Sequence, residues 1–142
     1  MKHLFIINPM SGNKKAMEYL PDIENYFKDK HDEYSIVYTK YPMHAKEICQ
    51  EYAKKGGYRT YIAGGDGSVN EAANGVAGYD TPIGILPAGS GNDFIKCLMD
   101  YTKKTDLVRR TIEGEVIKVD AIKLFDEEKF NYCINILSLG VD

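Results

Sequence analysis

The 142-residue sequence has no tryptophan, five prolines and three cysteines. Cys49, Cys97 and Cys133 are odd in number and far apart, which excludes a disulfide framework and a cysteine-rich zinc site and fits a reducing cytoplasm. No apolar run approaches the ~20 residues of a membrane span. Leu4-Phe5-Ile6-Ile7, close behind Met1, is too short for a signal peptide. Basic residues do not predominate either: 18 Lys and Arg against 21 Asp and Glu leave a net charge of −3, which argues against nucleic acid as the main partner. His3, His31 and His44 are scattered and form no metal-binding spacing. The expectation is a soluble cytoplasmic protein without a transmembrane segment, still able to touch a membrane surface.

What is present is ordinary globular composition, 44% hydrophobic and 27% charged with 13 glycines, enough for one compact core. Leu4 to Ile7, stopped by Asn8-Pro9, reads as a strand buried on both faces. Ala16, Leu20, Ile23 and Phe27 follow at helical spacing, with Pro21 expected to kink that helix or restart it. Tyr34 to Tyr38 reads as a second strand, and Ala45, Ile48, Cys49 and Tyr52 as a helix stopped at Gly56-Gly57. Two further units follow: Tyr58 to Ala63 ahead of a helix through Val69, Ala72, Ala73 and Val76, and Ile83 to Leu86 ahead of Phe94, Cys97 and Leu98. Four strand-loop-helix units predict an α/β sandwich on a parallel sheet, with its strand-to-helix loops along one edge. Function is expected on the loops after strands one, three and four, which become neighbours if the strand order is 2-1-3-4.

A short helix near Asp106 to Ile112 closes this α/β part at Gly114. Beyond it, Val116 to Leu124 and Lys129 to Leu137 read as an antiparallel hairpin around Asp126-Glu127-Glu128. The division expected is 1–114 for the α/β domain and 115–142 for the first hairpin of a truncated all-β domain. Such a hairpin would leave free strand edges through which two copies associate as a homodimer.

The third loop is the most informative. Gly64, Gly65 and Gly67 permit positive φ and close backbone approach, so that consecutive N–H groups converge on an anion. Ser68 followed by Glu71 has the pattern of a capping box, which would start a helix there and aim its dipole at the same point. Phosphate suits this arrangement. Asp66 in its midst requires a metal, a proton or a substrate hydroxyl between it and the phosphates, which makes it a candidate base or holder of a magnesium-bound water. A plain tight turn is the bland alternative for one loop. Asn8-Pro9-Met10-Ser11-Gly12-Asn13 and Ala88-Gly89-Ser90-Gly91-Asn92-Asp93 add small polar residues on the same edge and favour a site. The P-loop pattern with its lysine is missing, so backbone and hydroxyl donors would hold the phosphates. Lys103, Lys104, Arg109 and Arg110 could meet anionic lipid headgroups, but read first as a solvated helix face.

Asn8-Pro9-Met10-Ser11-Gly12, Gly64-Gly65-Asp66-Gly67-Ser68-Val69-Asn70-Glu71 and Pro87-Ala88-Gly89-Ser90-Gly91-Asn92-Asp93-Phe94 resemble, in order, the NPxSG, GGDGTxNE and PxGTxNDF blocks of the diacylglycerol kinase catalytic domain family. The resemblance implies an ATP-binding lobe of the NAD kinase type, followed by the start of a β-sandwich lobe that helps bind lipid. It implies an ATP- and Mg2+-dependent transfer of phosphate to a hydroxyl of diacylglycerol or a related lipid at the membrane surface. Asn8 through Gly12 and Gly65 through Asn70 would line the nucleotide. Thr39, in Thr39-Lys40-Tyr41-Pro42-Met43-His44-Ala45, matches a nucleotide-contacting threonine, and Gly89, Ser90 and Asn92 supply the third block. Ser68 and Ser90 replace family threonines and keep the hydroxyl. The alternatives are an NAD kinase-like enzyme, whose relatives lack the Asn8-Pro9-Met10-Ser11-Gly12 opening, and a nucleotide-binding module without turnover. Family members place a general-base Asp and structural magnesium ligands in the second lobe, so this chain alone is expected to bind nucleotide without phosphorylating lipid.

Overall fold

A computed structural model describes residues 2–79, 81–88, 107–114, 116–118, 123–126, 129–132 and 136–138. Three βα units and a fourth strand come first. They are β1 (Lys2–Ile7) with a 3-10 turn (Lys15–Glu18) and α1 (Tyr19–Phe27), β2 (Glu33–Tyr38) with α2 (His44–Lys55), β3 (Tyr58–Gly64) with α3 (Asp66–Val76), and β4 (Ile83–Pro87). After them come α4 (Leu107–Glu113), β5 (Val116–Lys118), β6 (Lys123–Asp126), β7 (Lys129–Tyr132) and β8 (Ile136–Ser138). The first four strands are parallel in the expected order β2-β1-β3-β4. Pro21 sits in the first turn of α1, where the 3-10 turn gives way to a fresh α-helix and the missing N–H costs nothing.

The apolar runs are buried as their positions demand. Leu4, Phe5, Ile6 and Ile7 on central β1 lose essentially all contact with solvent, and each such burial stabilises by roughly 1.5–3 kcal/mol. Phe5 stacks on Tyr61 of β3 and meets Phe27 of α1 edge-on, so α1 covers one face of the sheet. On this face His3 donates or accepts through Nδ1 at 3.0 Å from the Tyr61 hydroxyl. α2 and α3 pack together, with Gly75 letting the α3 backbone approach the Lys46 carbonyl and Cys49 of α2.

The C-terminal strands depart from the expectation of a hairpin standing apart from the α/β sheet. β6 and β7 form its two-stranded tip, but at its base β8 pairs parallel with β4 and antiparallel with β5, giving a six-stranded sheet β2-β1-β3-β4-β8-β5. The physical reason is the outer edge of β4, whose backbone groups need partners that β8 supplies. The two ladders are also offset: Lys118 faces Ile136, whereas Lys123 faces Tyr132, so the first arm carries one residue more than the second between them. The helix expected behind Phe94, Cys97 and Leu98 lies outside the described residues.

Candidate functional site

Parallel strands bring the C-terminal ends of β1 to β4 to one edge, and backbone hydrogen bonds hold the segments that leave them. Asn8 N donates to the Ala63 carbonyl (3.1 Å), Thr39 N to the Ile7 carbonyl (2.9 Å) and Ala88 N to the Gly64 carbonyl (3.0 Å). Asn8 then organises the first loop with its side chain. Its Oδ1 accepts from Met10 N at 3.2 Å, while its Nδ2 donates to Ser68 Oγ at 3.4 Å and ties the first loop to α3. Gly12, Asn13 and Lys14 follow with φ of +61°, +57° and +74°, a left-handed run that turns the chain into the 3-10 helix. At Gly12 a Cβ would stand 1.6 Å from the Ala88 carbonyl oxygen, so the first loop lies directly against the end of β4.

The third loop works differently from its sequence pattern. None of Gly64, Gly65 and Gly67 takes positive φ. Gly64 is needed for close approach, because a Cβ there would lie 2.6 Å from both Cβ and Oγ of Ser68. Ser68 is not a helix cap. Gly65, with extended backbone, is the N-cap of α3, and its carbonyl accepts from Val69 N at 3.0 Å; Ser68 is buried inside the first turn and no capping box forms with Glu71. Gly65 can start the helix without a side chain, which moves the start three residues ahead of Ser68.

A cavity of about 380 Å³ opens between these segments, lined by Asn8, Pro9, Met10, Thr39, Lys40, Tyr41, Pro42, Ala45, Ser68 and Glu71. Its size is within the range of small-molecule sites. Of the residues expected from sequence, Asn8, Pro9, Met10, Thr39, Ser68 and Glu71 meet here. Ser11 and Gly12, further along the first loop, are not on the lining. Gly64 is buried beneath Ser68, Gly65 caps α3, and Asp66 and Gly67 are exposed on its first turn. Val69 belongs to the core, and Asn70 accepts from Asn74 Nδ2 (2.8 Å to the carbonyl) within the helix. Gly89, Ser90 and Asn92 lie outside the described residues.

Sequence reasoning left out the loop after β2 beyond Thr39, yet Lys40, Tyr41, Pro42 and Ala45 complete the cavity. The available signal was parallelism itself, since the end of every strand in a parallel sheet reaches the same edge. This loop is braced: Lys40 N donates to His44 Nδ1 (2.9 Å), and the Tyr41 ring stacks on His44 at 4.2 Å. The Tyr41 hydroxyl donates to Glu47, and this hydrogen bond pushes its pKa up, keeping it protonated. Among the described residues Lys40 is the one basic residue lining the cavity, and the other polar groups there are the Asn8 amide, the Thr39 and Ser68 hydroxyls, the Tyr41 phenol and the Glu71 carboxylate. Among the described residues no group of three His, Cys, Asp or Glu side chains is placed to hold a metal ion.

The diacylglycerol kinase catalytic domain model matches residues 2–124, most of the sequence. The chain belongs to the diacylglycerol kinase catalytic domain family. It is a member of a lipid kinase family, as its relatives are named. A protein of Streptococcus pneumoniae serotype 4, provisionally named a lipid kinase, is 29% identical over 140 residues, which are 97% of this chain and 47% of that protein. Sphingosine kinase 2 of Arabidopsis thaliana is 33% identical over 105 residues, 68% of this chain and 22% of that protein. A crystal structure of a diacylglycerol kinase from Bacillus anthracis str. Sterne superposes with a TM-score of 0.66 at 30% identity, covering 84% of this chain and 44% of that one. The chain therefore spans about half or less of the length of these relatives. Among the described residues no helix is long and apolar enough to cross a membrane.

Proposed function

We propose that this chain is the nucleotide-binding part of an ATP-dependent lipid kinase that transfers the γ-phosphoryl group to a hydroxyl of diacylglycerol or a related lipid. The observation that carries the reading is the cavity where the ends of β1, β2 and β3 converge, with Asn8 joined to Ser68 across it. Asn8, Ser68 and the N-terminal turn of α3 are suited to phosphate oxygens, and Thr39 to the sugar. Lys40 adds one positive charge. Phosphoryl transfer asks a protein mainly for positioning and charge stabilisation, which donors fixed by backbone ladders supply.

A magnesium ion fits this donor set. Mg2+ keeps most of its water and needs only one or two carboxylates besides the substrate phosphates, so the absence of a three-residue cluster in the described part is no obstacle. Glu71, on the cavity, and Asp66, exposed on the first turn of α3, would hold it through water. When bound it neutralises phosphate charge. Asp66 alternatively accepts the proton of the acceptor hydroxyl. In this reading residues 1–114 carry the nucleotide site, residues 115–142 lead into the lipid-binding part, and the enzyme works from the cytoplasm on the membrane surface.

The test is a melting curve with and without MgATP, paired with transfer of labelled phosphate to diacylglycerol in mixed micelles. At a ligand concentration a hundredfold above Kd, linkage gives roughly 2.7 kcal/mol of stabilisation. A chain that binds MgATP is expected to gain lipid kinase activity only when continued past Asp142. A melting curve unmoved by saturating MgATP would overturn the nucleotide assignment, and full transfer by the 142-residue chain would move the acceptor site into it.

A further inference from the structure

We propose that β2 is a self-pairing edge, through which two copies of this chain join their sheets in antiparallel register about a twofold axis at Ile36. β2 ends the sheet order on one side, and its ladder to β1 runs without interruption from Glu33 to Tyr38. Edge strands are ordinarily protected by proline, lysine, a bulge or an inward-pointing charge. None is present between Tyr34 and Tyr38, whose sequence Tyr-Ser-Ile-Val-Tyr is uncharged. Tyr34 and Tyr38 are each 38% exposed, although both are large aromatic residues.

The register follows from which backbone groups face outward. Thr39 N donates to Ile7, so Thr39 directs its backbone groups at β1. Alternation along the strand aims those of Val37, Ser35 and Glu33 the same way and leaves those of Tyr34, Ile36 and Tyr38 pointing away from the sheet. An antiparallel partner exchanges both hydrogen bonds between directly opposed residues of this outward set. With a second copy of β2, the register that pairs all three sets Tyr34 opposite Tyr38, Ile36 opposite Ile36, and Tyr38 opposite Tyr34.

The side chains agree with that register. Tyr34, Ile36 and Tyr38 share one sheet face, where Tyr34 already stacks on Phe27 of α1 at 4.5 Å. Two Tyr34–Tyr38 cross-strand aromatic pairs would flank the central isoleucines, a favourable combination. Beyond the strand ends the same register sets Asp32 opposite Lys40, an opposite-charge pair on each side of the axis, and Glu33 opposite Thr39, with no like charges facing. A shift by two residues in either direction loses one of the three pairs. The proposal does not depend on the nucleotide reading, and it assigns self-association to β2 rather than to the C-terminal hairpin.

The experiment is sedimentation of the chain over micromolar concentrations, together with mild oxidation of Ile36→Cys and Ser35→Cys variants and tryptic mapping. Opposed residues in a hydrogen-bonded pair have Cα atoms about 5.5 Å apart, within disulfide reach, whereas the two copies of residue 35 lie on a diagonal of roughly 7–8 Å. The expected result is a dimer, with a disulfide joining two copies of the 31–40 peptide for Ile36→Cys and little or none for Ser35→Cys. Ile36→Lys, which opposes two ammonium groups on the axis, should give a folded monomer by circular dichroism. A monomeric parent, or a dimer whose Ile36→Cys variant gives no such linked peptide, would overturn the proposal.

Discussion

Gly12→Ala tests how closely the first loop is seated on the sheet. Two costs are separable at this position. The first is the dihedral, since φ is +61° and a Cβ in the left-handed region costs roughly 1–2 kcal/mol. That cost alone is tolerable, because Asn13 at +57° and Lys14 at +74° already carry side chains there. The second is steric. The new Cβ would sit 1.6 Å from the Ala88 carbonyl oxygen and 2.7 Å from its carbon, and must retreat by at least 1.4 Å to reach the 3.0 Å that real Cβ contacts respect. The obstacle is backbone, held by the Ala88 N–H bond to Gly64, and it has no rotamer through which to yield. Overpacking of this kind costs typically ~1–3 kcal/mol, and the smaller entropy of the unfolded alanine chain returns about 0.4–1 kcal/mol. The net expectation is about 3 kcal/mol, or roughly 10 °C in melting temperature for a chain of this length. The assay is thermal unfolding by circular dichroism, with Asn13→Ala as the companion that changes only the dihedral preference and should cost about 1 kcal/mol or less. Loop displacement should also abolish stabilisation by MgATP in Gly12→Ala. Equal melting temperatures for Gly12→Ala and Asn13→Ala would refute the close approach.

Two further outcomes follow from named contacts. Ser68→Ala should cost about 0.5–1.5 kcal/mol, the net worth of the hydrogen bond from the Asn8 amide rather than of a cap, and should weaken MgATP binding by releasing that amide; thermal shift and calorimetric titration of the variant and the parent check this. His3 is buried against Phe27 and Tyr61, and burial lowers its pKa below 6.5 despite Asp32, whose carboxylate lies 3.6 Å from Nε2. Below pH 6.5 the unfolded chain therefore takes up a proton that the folded chain refuses, so stability should fall as pH drops from 7 through 6.5 to the depressed folded value and then lose nothing more from this group. Urea unfolding at pH 7.5 and 5.5 should show a larger loss for the parent than for His3→Gln, and equal losses would contradict the assignment.

Much of the architecture was legible because its signals are local. Leu4 to Ile7 is apolar at every position and ends in Asn8-Pro9, and only a strand covered on both faces satisfies that run. The site was legible in its residue types and less so in its geometry. Glycines at 64, 65 and 67 permit many conformations, and sequence cannot tell a glycine needed for its φ from one needed because Ser68 packs against it. The Ser68 to Glu71 spacing fits a capping box, but Gly65 was equally able to begin the helix and did so first. Lys40, Tyr41 and Pro42 carry no motif, and their place on the cavity follows only once β2 lies beside β1. The destination of β8 was hidden for a related reason: its partner β4 is distant in sequence, and no local pattern distinguishes a hairpin arm that stands alone from one that completes a sheet.

That long-range pairing also sets an order of events during synthesis. Ile83 meets Leu137 and Gly84 meets Ser138, so the outer edge of β4 must wait until residues 137 and 138 have left the ribosome. Until then β1, β2 and β3 can assemble by pairings between segments already made, while β4 offers one side of its backbone to any passing strand. The loops after β1, β2 and β3 can thus be placed before β8 arrives to close the sheet. Ribosome stalling or proteolysis before position 136 would leave a nascent chain with its central strands paired and the outer edge of β4 exposed in addition to that of β2, the form in which a trailing chaperone is most needed.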